Sequence, residues 1–198
     1  DQLGKGVQAL VKKKGVTIIP GSARLLSEGG VEVTSANSTK VYNAKDIILA
    51  TGSKPVELPF LPFDGKNIVH SDHGIAFNQV PKKMVVIGGG AIGLELGCVW
   101  SRLGAEVTIV EFLPEICPHL DPDVAKVARR ILEKQGLHFL LSTKVTEAKN
   151  AKAGTRLSLE TGDQVSELSA DRVLVAVGRA PCSDGLGLGD AGVKADEK

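Results

Sequence analysis

Lys82-Lys83-Met84-Val85-Val86-Ile87-Gly88-Gly89-Gly90-Ala91-Ile92-Gly93-Leu94-Glu95-Leu96 is the stretch on which the reading of this chain turns. Met84–Ile87 is a short apolar run that predicts a strand. It leads directly into Gly88, Gly90 and Gly93, spaced G-x-G-x-x-G. Ile92, Leu96, Val99 and Leu103 then recur at helical intervals as one apolar stripe, and Gly104 can end that helix in the left-handed conformation. Each glycine has a physical task in this setting. Gly88 allows the tight turn, Gly90 lets the backbone approach a pyrophosphate, and Gly93 lets the helix pack on its strand. The helix N-terminus adds unpaired N–H groups that favour phosphate charge.

Working outward, Val107–Val110 predicts the next strand, and it ends in Glu111, 23 residues beyond Gly88. An acid there can accept hydrogen bonds from the hydroxyls of an adenosine ribose. The same carboxylate repels a 2′-phosphate, and Phe112–Ile116 carries no Arg or Lys to neutralise one, so NAD is expected over NADP. A plain strand-to-helix turn would need the glycines but not this acid, and the combination points to a dinucleotide site.

From Lys82 onward, strand and helix patterns alternate, the mark of a parallel sheet covered by helices. Asp121-Pro122 is a cap and first-turn pair for a helix that carries Val124, Val127, Ala128, Ile131 and Leu132 inward and stops at Gly136. Leu137–Leu141 predicts a strand, Arg156–Glu160 and Gln164–Leu168 a hairpin about Thr161-Gly162-Asp163, and Arg172–Val177 a last buried strand. The region before Lys82 reads as mainly β, with strands expected at Val16–Ile19, Val31–Thr34 and Asp46–Ala50. Pro55, Pro59, Pro62 and Gly65 mark Ser53–Lys66 as a crossover linker.

The 198 residues are 42% apolar, with 24 Lys and Arg against 23 Asp and Glu, a formal net charge of +1. Such a balance provides no strong field for nucleic acid or acidic lipid, so neither partner is expected. The longest uncharged apolar stretch, Met84–Leu94, falls well short of the ~20 residues that span a bilayer. Cys98, Cys117 and Cys182 are odd in number and far apart, which fits a reducing compartment. Cys98 is expected to pack as a small hydrophobe, with Cys117 and Cys182 as loop thiols. His70, Asp72 and His73, or Glu115, Cys117 and His119, fall short of the four ligands of a structural zinc site, and no metal is expected. Lys12-Lys13-Lys14 reads as a solvated helix end. The opening Asp1-Gln2-Leu3 and the charged tail Asp196-Glu197-Lys198 suggest a piece of a longer protein.

Ala50-Thr51-Gly52-Ser53, then Gly88–Leu96 as G-G-G-A-I-G-L-E-L, Val99–Ala105 as V-W-S-R-L-G-A, Val110–Leu113, Thr143–Thr146 and finally Val177-Gly178-Arg179-Ala180-Pro181 occur in one order along the chain. In that order the sequence resembles the pyridine nucleotide-disulfide oxidoreductase family, and within it the enzymes that reoxidise protein-bound dihydrolipoamide. The resemblance implies an α/β fold. Residues 1–79 would be the rear part of an FAD-binding domain with the crossover linker, 80–180 a Rossmann-like NAD-binding domain with parallel sheet and β-meander, and 181–198 a return segment toward the flavin domain. It implies NAD contacts at Gly88, Gly89, Gly90, Ala91, Ile92, Gly93, Leu94, Glu95, Glu111, Val145 and Gly178, and FAD contacts at Ala23, Thr51, Gly52 and Ser53. In such enzymes electrons pass from a dithiol through FAD to NAD, the cofactors carrying the hard chemistry.

The family's C-x-x-x-x-C pair, flavin-half glycine fingerprint and His-Glu pair are absent from these residues. No catalytic residue is therefore expected in this chain, and the chain alone is expected to be inactive. The complete protein is expected to be a homodimer serving lipoyl-bearing acyltransferase subunits of 2-oxo acid dehydrogenase complexes. Its compartment would be the mitochondrial matrix in a eukaryote or the cytoplasm in a bacterium. Two alternatives stay open: a module that binds NAD(H) without catalysis, and another flavin disulfide reductase or NADH oxidase of the same family.

Overall fold

The computed structural model describes residues 2–151 and 154–196, so Asp1, Glu197 and Lys198 of the opening and the charged tail lie outside the described residues. The chain forms two compact units, Asp1–Gly52 with Pro181–Lys198, and Ser53–Ala180. Residues 53–79, grouped with the first part on sequence, pack within the second unit.

The first unit holds helix α1 (Gln2–Lys13) and strands β1 (Ser22–Leu25), β2 (Gly30–Ser35) and β3 (Ser38–Asn43). The strands form an antiparallel sheet in the order β1-β2-β3, with Leu25 opposite Val31 and Gly30 opposite Asn43. Its C-terminal residues return to this sheet, where the Leu25 N–H donates to the Leu186 carbonyl at 2.8 Å and Arg24 pairs with Asp190. The strands expected at Val16–Ile19 and Asp46–Ala50 do not form. Neither segment pairs with a neighbouring strand among the described residues, and Ile48 is 91% exposed. Apolar patterning proposes a strand, whereas a ladder partner makes one.

The second unit contains β4 (Ser53–Pro55), β5 (Ile68–Val69), the one-turn helix α2 (Ser71–Gly74), β6 (Lys83–Ile87), α3 (Ala91–Arg102), β7 (Glu106–Val110), α4 (Pro122–Lys134), β8 (Leu137–Leu140), β9 (Thr143–Ala151), β10 (Gly154–Thr161), β11 (Gln164–Ala170), β12 (Arg172–Val175) and all but the last residue of β13 (Arg179–Pro181). Five strands make a parallel sheet in the order β5-β12-β6-β7-β8. An antiparallel meander, β11-β10-β9, packs on one of its faces, and β4 pairs with β13. The meander includes β9, which the hairpin reading missed. The linker reading of 53–66 also needs correction, because that stretch contributes β4 and the fully buried Leu61.

The unbroken apolar run of β6 now has its reason. Met84 and Val86 join the core under the helices, with Leu94, Trp100, Val107, Ile109 and Leu174. Val85 and Ile87 face the meander, with Leu157, Leu159, Val145 and Val173. A parallel strand covered on both faces has no polar side to alternate.

Helix α3 ends as expected, with Leu103 as its cap and Gly104 at φ +107°. Its buried stripe differs in part: Gly93, Leu94, Gly97 and Trp100 face inward and the expected Leu96 packs against the same core, while Val99 and Leu103 are about half exposed. Gly93 and Gly97 let the helix sit close against its sheet, where a Cβ at Gly97 would lie 3.1 Å from Ile109 Cδ1, while Leu94 and Trp100 join the core on the same face. On α4 the Asp121 carboxylate caps the helix by accepting the Asp123 N–H at 2.9 Å, as the cap reading expects. Ala125 is buried and Ala128 and Leu132 pack inward, but Val124, Val127 and Ile131 turn outward.

Candidate functional site

The glycine loop lies at the C-terminal end of β6, where the chain has stepped outward through β7 and β8 on one side and returned to β12 on the other. That is the switch point at which open parallel sheets bind ligands. Gly88 donates its N–H to the Val110 carbonyl at 2.9 Å and has φ +107°, and a Cβ there would lie 2.5 Å from the Ala176 carbonyl oxygen. Gly93 packs so closely on the loop that a Cβ would meet the Gly88 oxygen at 2.2 Å. Gly90 is the contrast: it caps α3 with extended backbone, and a Cβ would find nothing within 4 Å. Two glycines are therefore required by packing, and the third leaves space open above the helix N-terminus, the fit a pyrophosphate needs.

Glu111 is buried, and both of its carboxylate oxygens are engaged. Oε2 accepts the Gly89 N–H at 2.6 Å and Oε1 accepts the Leu113 N–H at 2.8 Å. Each oxygen retains a second lone pair, so a role toward a ribose and a role as a strut of the loop are compatible. The chain after Glu111 folds back over the loop, and the Cys117 N–H donates to the Gly89 carbonyl at 3.0 Å. Cys117 takes φ +47°, unusual for a residue with a side chain. Glu115 ties this segment to α4 through Arg129 Nε at 2.9 Å, and Arg129 also holds Glu133 at 2.7 Å. Partial burial opposes the Glu115 charge, yet the Ile116 N–H and the Arg129 guanidinium hold its carboxyl below the usual range. Burial and the Glu111 carboxylate push the Cys117 thiol up, and burial does the same for Cys98.

These parts border a groove of about 720 Å³ in the second unit, a size typical of small-molecule sites. Of the residues named on sequence, Gly88, Gly90, Ala91, Ile92, Glu111, Val145 and Gly178 line it. Gly89 stands behind the loop, bonded to Glu111. Gly93 and Leu94 are buried beneath it, and Glu95 is exposed outside the groove's lining. Residues the sequence reading missed also reach it, among them Phe60, Phe112, His119, Lys144 and Arg179. Two of these are cations outside residues 112–116: Arg179, whose guanidinium is bonded to Ser53, and the exposed Lys144. Its neighbour Val145 was singled out, and the β9 strand that carries both brings them to the groove.

In the first unit, Ala23 lies exposed on β1, and Thr51 and Gly52 are exposed, Gly52 at φ +73°. Ser53 belongs to the second unit, where its hydroxyl accepts Arg179 Nε at 2.7 Å. Among the described residues no group of three or more His, Cys, Asp or Glu is placed to hold a metal ion, and no helix is long and apolar enough to cross a membrane.

The family model described as pyridine nucleotide-disulphide oxidoreductase matches residues 1–198. The chain is 44% identical over 199 residues to dihydrolipoyl dehydrogenase 3 of Pseudomonas aeruginosa, covering 99% of this chain and 43% of that protein. It is 42% identical to the mitochondrial dihydrolipoyl dehydrogenase of Pisum sativum, covering 98% of this chain and 40% of that one. The solved structure of LpdA from Mycobacterium tuberculosis matches with a TM-score of 0.85 at 25% identity, over 96% of this chain and 42% of that structure. The chain thus spans roughly two fifths of the length of these curated relatives. Matched along its whole length and folded about the glycine loop in the same way, the chain belongs to the pyridine nucleotide-disulphide oxidoreductase family.

Proposed function

We propose that this chain is the NAD-binding part, with a share of the FAD-binding part, of an FAD-dependent dihydrolipoyl dehydrogenase that passes electrons from protein-bound dihydrolipoamide through a disulfide and FAD to NAD+. The observation that carries the reading is the groove at the end of β6, where open space at Gly90 adjoins the buried Glu111 carboxylate. The domain reading assigns 80–180 to NAD and 1–79 with 181–198 to the flavin side. Gly88–Gly93 would hold the pyrophosphate, Glu111 the adenosine ribose, Val145 the adenine and Gly178 the opposite wall. Leu94 lies beneath the loop and Glu95 outside the groove's lining, so the two join the NAD set by the resemblance alone, and Ala23, Thr51, Gly52 and Ser53 would face the flavin. When bound, the nicotinamide exchanges hydride with the flavin, which in turn exchanges electrons with the dithiol. This chain's own residues bind, orient and select.

Selection between NAD and NADP rests on Glu111. Its carboxylate is fixed and buried, whereas Lys144 is an exposed, flexible cation screened by water and salt. Titration of the 198-residue chain with NADH and NADPH, followed by nicotinamide fluorescence, is expected to give at least about tenfold weaker binding of NADPH. Equal affinities would overturn the selectivity, and absence of NADH binding would overturn the reading itself.

Relatives of bacterial and mitochondrial origin support the enzyme class, and the whole protein's place follows them: mitochondrial matrix or bacterial cytoplasm. Its partners would be lipoyl-bearing acyltransferase subunits of 2-oxo acid dehydrogenase complexes, and its assembly a homodimer.

A further inference from the structure

We propose that Cys117 is a positioning residue for the phosphate loop: its backbone N–H and the Glu111 carboxylate grip the buried Gly89 from opposite sides, and the grip sets the direction of the Gly90 N–H. The inference rests on the NAD reading above and adds a residue to it.

The Gly89 carbonyl and the Gly90 N–H belong to one planar trans peptide, so they point in opposite directions. The Gly89 carbonyl is drawn to the Cys117 N–H at 3.0 Å, with the Cys117 thiol 3.7 Å from the same oxygen. The Gly90 N–H is thereby aimed away from the 111–117 segment. The peptide before it is fixed too, because the Gly89 N–H donates to Glu111 Oε2 at 2.6 Å. The helix begins its own bonding with the Leu94 N–H to the Gly90 carbonyl, so the N–H groups of Gly90–Gly93 have no helical partner. Gly90 lines the groove, and a Cβ there would meet nothing within 4 Å. The donor held by the grip is thus the one at the open position.

The grip is itself braced. Ile116 is fully buried and packs against Gly89, where a Cβ would lie 3.2 Å from Ile116 Cγ2. Glu115 is bonded to Arg129 of α4, and the Leu120 N–H closes the turn onto the Cys117 carbonyl at 2.9 Å. Cys117 itself takes a left-handed conformation at φ +47°, and an L residue is held there by such surroundings.

Calorimetric titration of NAD+, ADP and adenosine into the unaltered chain, Cys117→Pro and Cys117→Gly tests this. Proline removes the N–H and cannot take a positive φ, whereas glycine keeps the donor and accepts the conformation. Expected is a loss of about tenfold in NAD+ and ADP affinity for Cys117→Pro, unchanged adenosine binding, and recovery in Cys117→Gly. Undiminished NAD+ binding by Cys117→Pro, or an equal loss for adenosine, overturns the proposal. Should Cys117→Pro fail to fold, amide hydrogen exchange of the unaltered chain decides: a Cys117 amide that is protected and gains protection with ADP supports the grip, and one that exchanges freely overturns it. An unaltered chain that binds no NAD+ removes the dinucleotide reading and this inference together, whereas binding that is indifferent to the proline removes only the inference.

Discussion

Gly93 and Gly90 are three positions apart in one motif and are glycine for opposite reasons. At Gly93 an added methyl would sit 2.2 Å from the Gly88 oxygen and 3.0 Å from Val86 Cγ1, so the helix would have to lift off its strand. At Gly90 the space is empty and the backbone, at φ −81°, suits any residue. Gly93→Ala is therefore expected to cost about 2–4 kcal/mol of stability in urea unfolding. Gly90→Ala is expected to stay within about 1 kcal/mol of the parent while weakening NAD+ binding about tenfold, its methyl standing where the phosphate approaches. A Gly90→Ala chain that binds NAD+ normally would place the phosphate elsewhere. The motif's spacing was legible in the sequence because its three glycines answer demands within one short segment: the turn at Gly88, open space at Gly90 and close packing at Gly93. That Glu111 already bonds Gly89 and Leu113 was not, since a carboxylate's partners depend on which loop folds beside it.

At the scale of elements, the turn before β5 shows how one side chain sets a register. Asp64 Oδ1 accepts the N–H groups of Lys66, Asn67 and Ile68 at 2.7–2.9 Å. Partial burial opposes its charge, but these three donors outweigh it and hold its carboxyl below the usual carboxylate range. The sign follows: a pKa lowered in the folded state adds stability above the unfolded value of about 3.9, and that stability fades as pH falls through the folded value. Asp64→Asn is expected to remove this part, so urea midpoints of parent and variant should converge below about pH 4 and separate above it. A gap that persists unchanged into acid would contradict the assignment. The existence and ends of α3 and α4 were readable, from Gly104 and Asp121, whereas α1 and α2 lie in a region that reads as mainly β, and the buried faces of α3 and α4 were misread in part. Hydropathy ranks Val and Ile above Gly and Ala, whereas close packing of helix on sheet favours the small residues.

Across the whole chain, the three cysteines bound what it can do. Cys98 packs against the helix-side core and Cys117 is held in the loop grip, both with thiols pushed up by burial. Cys182 lies 65 residues beyond Cys117, and the sequence contains no closely spaced dithiol. Without one there is no disulfide to exchange with dihydrolipoamide. The purified chain, supplied with FAD and NAD+, is expected to show no sustained dihydrolipoamide oxidation, and steady NADH production at 340 nm would contradict this. The sequence by itself determined the glycine loop, its acid, the helix caps and the family, because turns, caps and phosphate approach are demands placed on a few adjacent residues. Only the tertiary structure decided which apolar segments become strands, which helix faces are buried and that Lys144, His119 and Arg179 reach the groove, because those outcomes depend on the order in which distant strands pair.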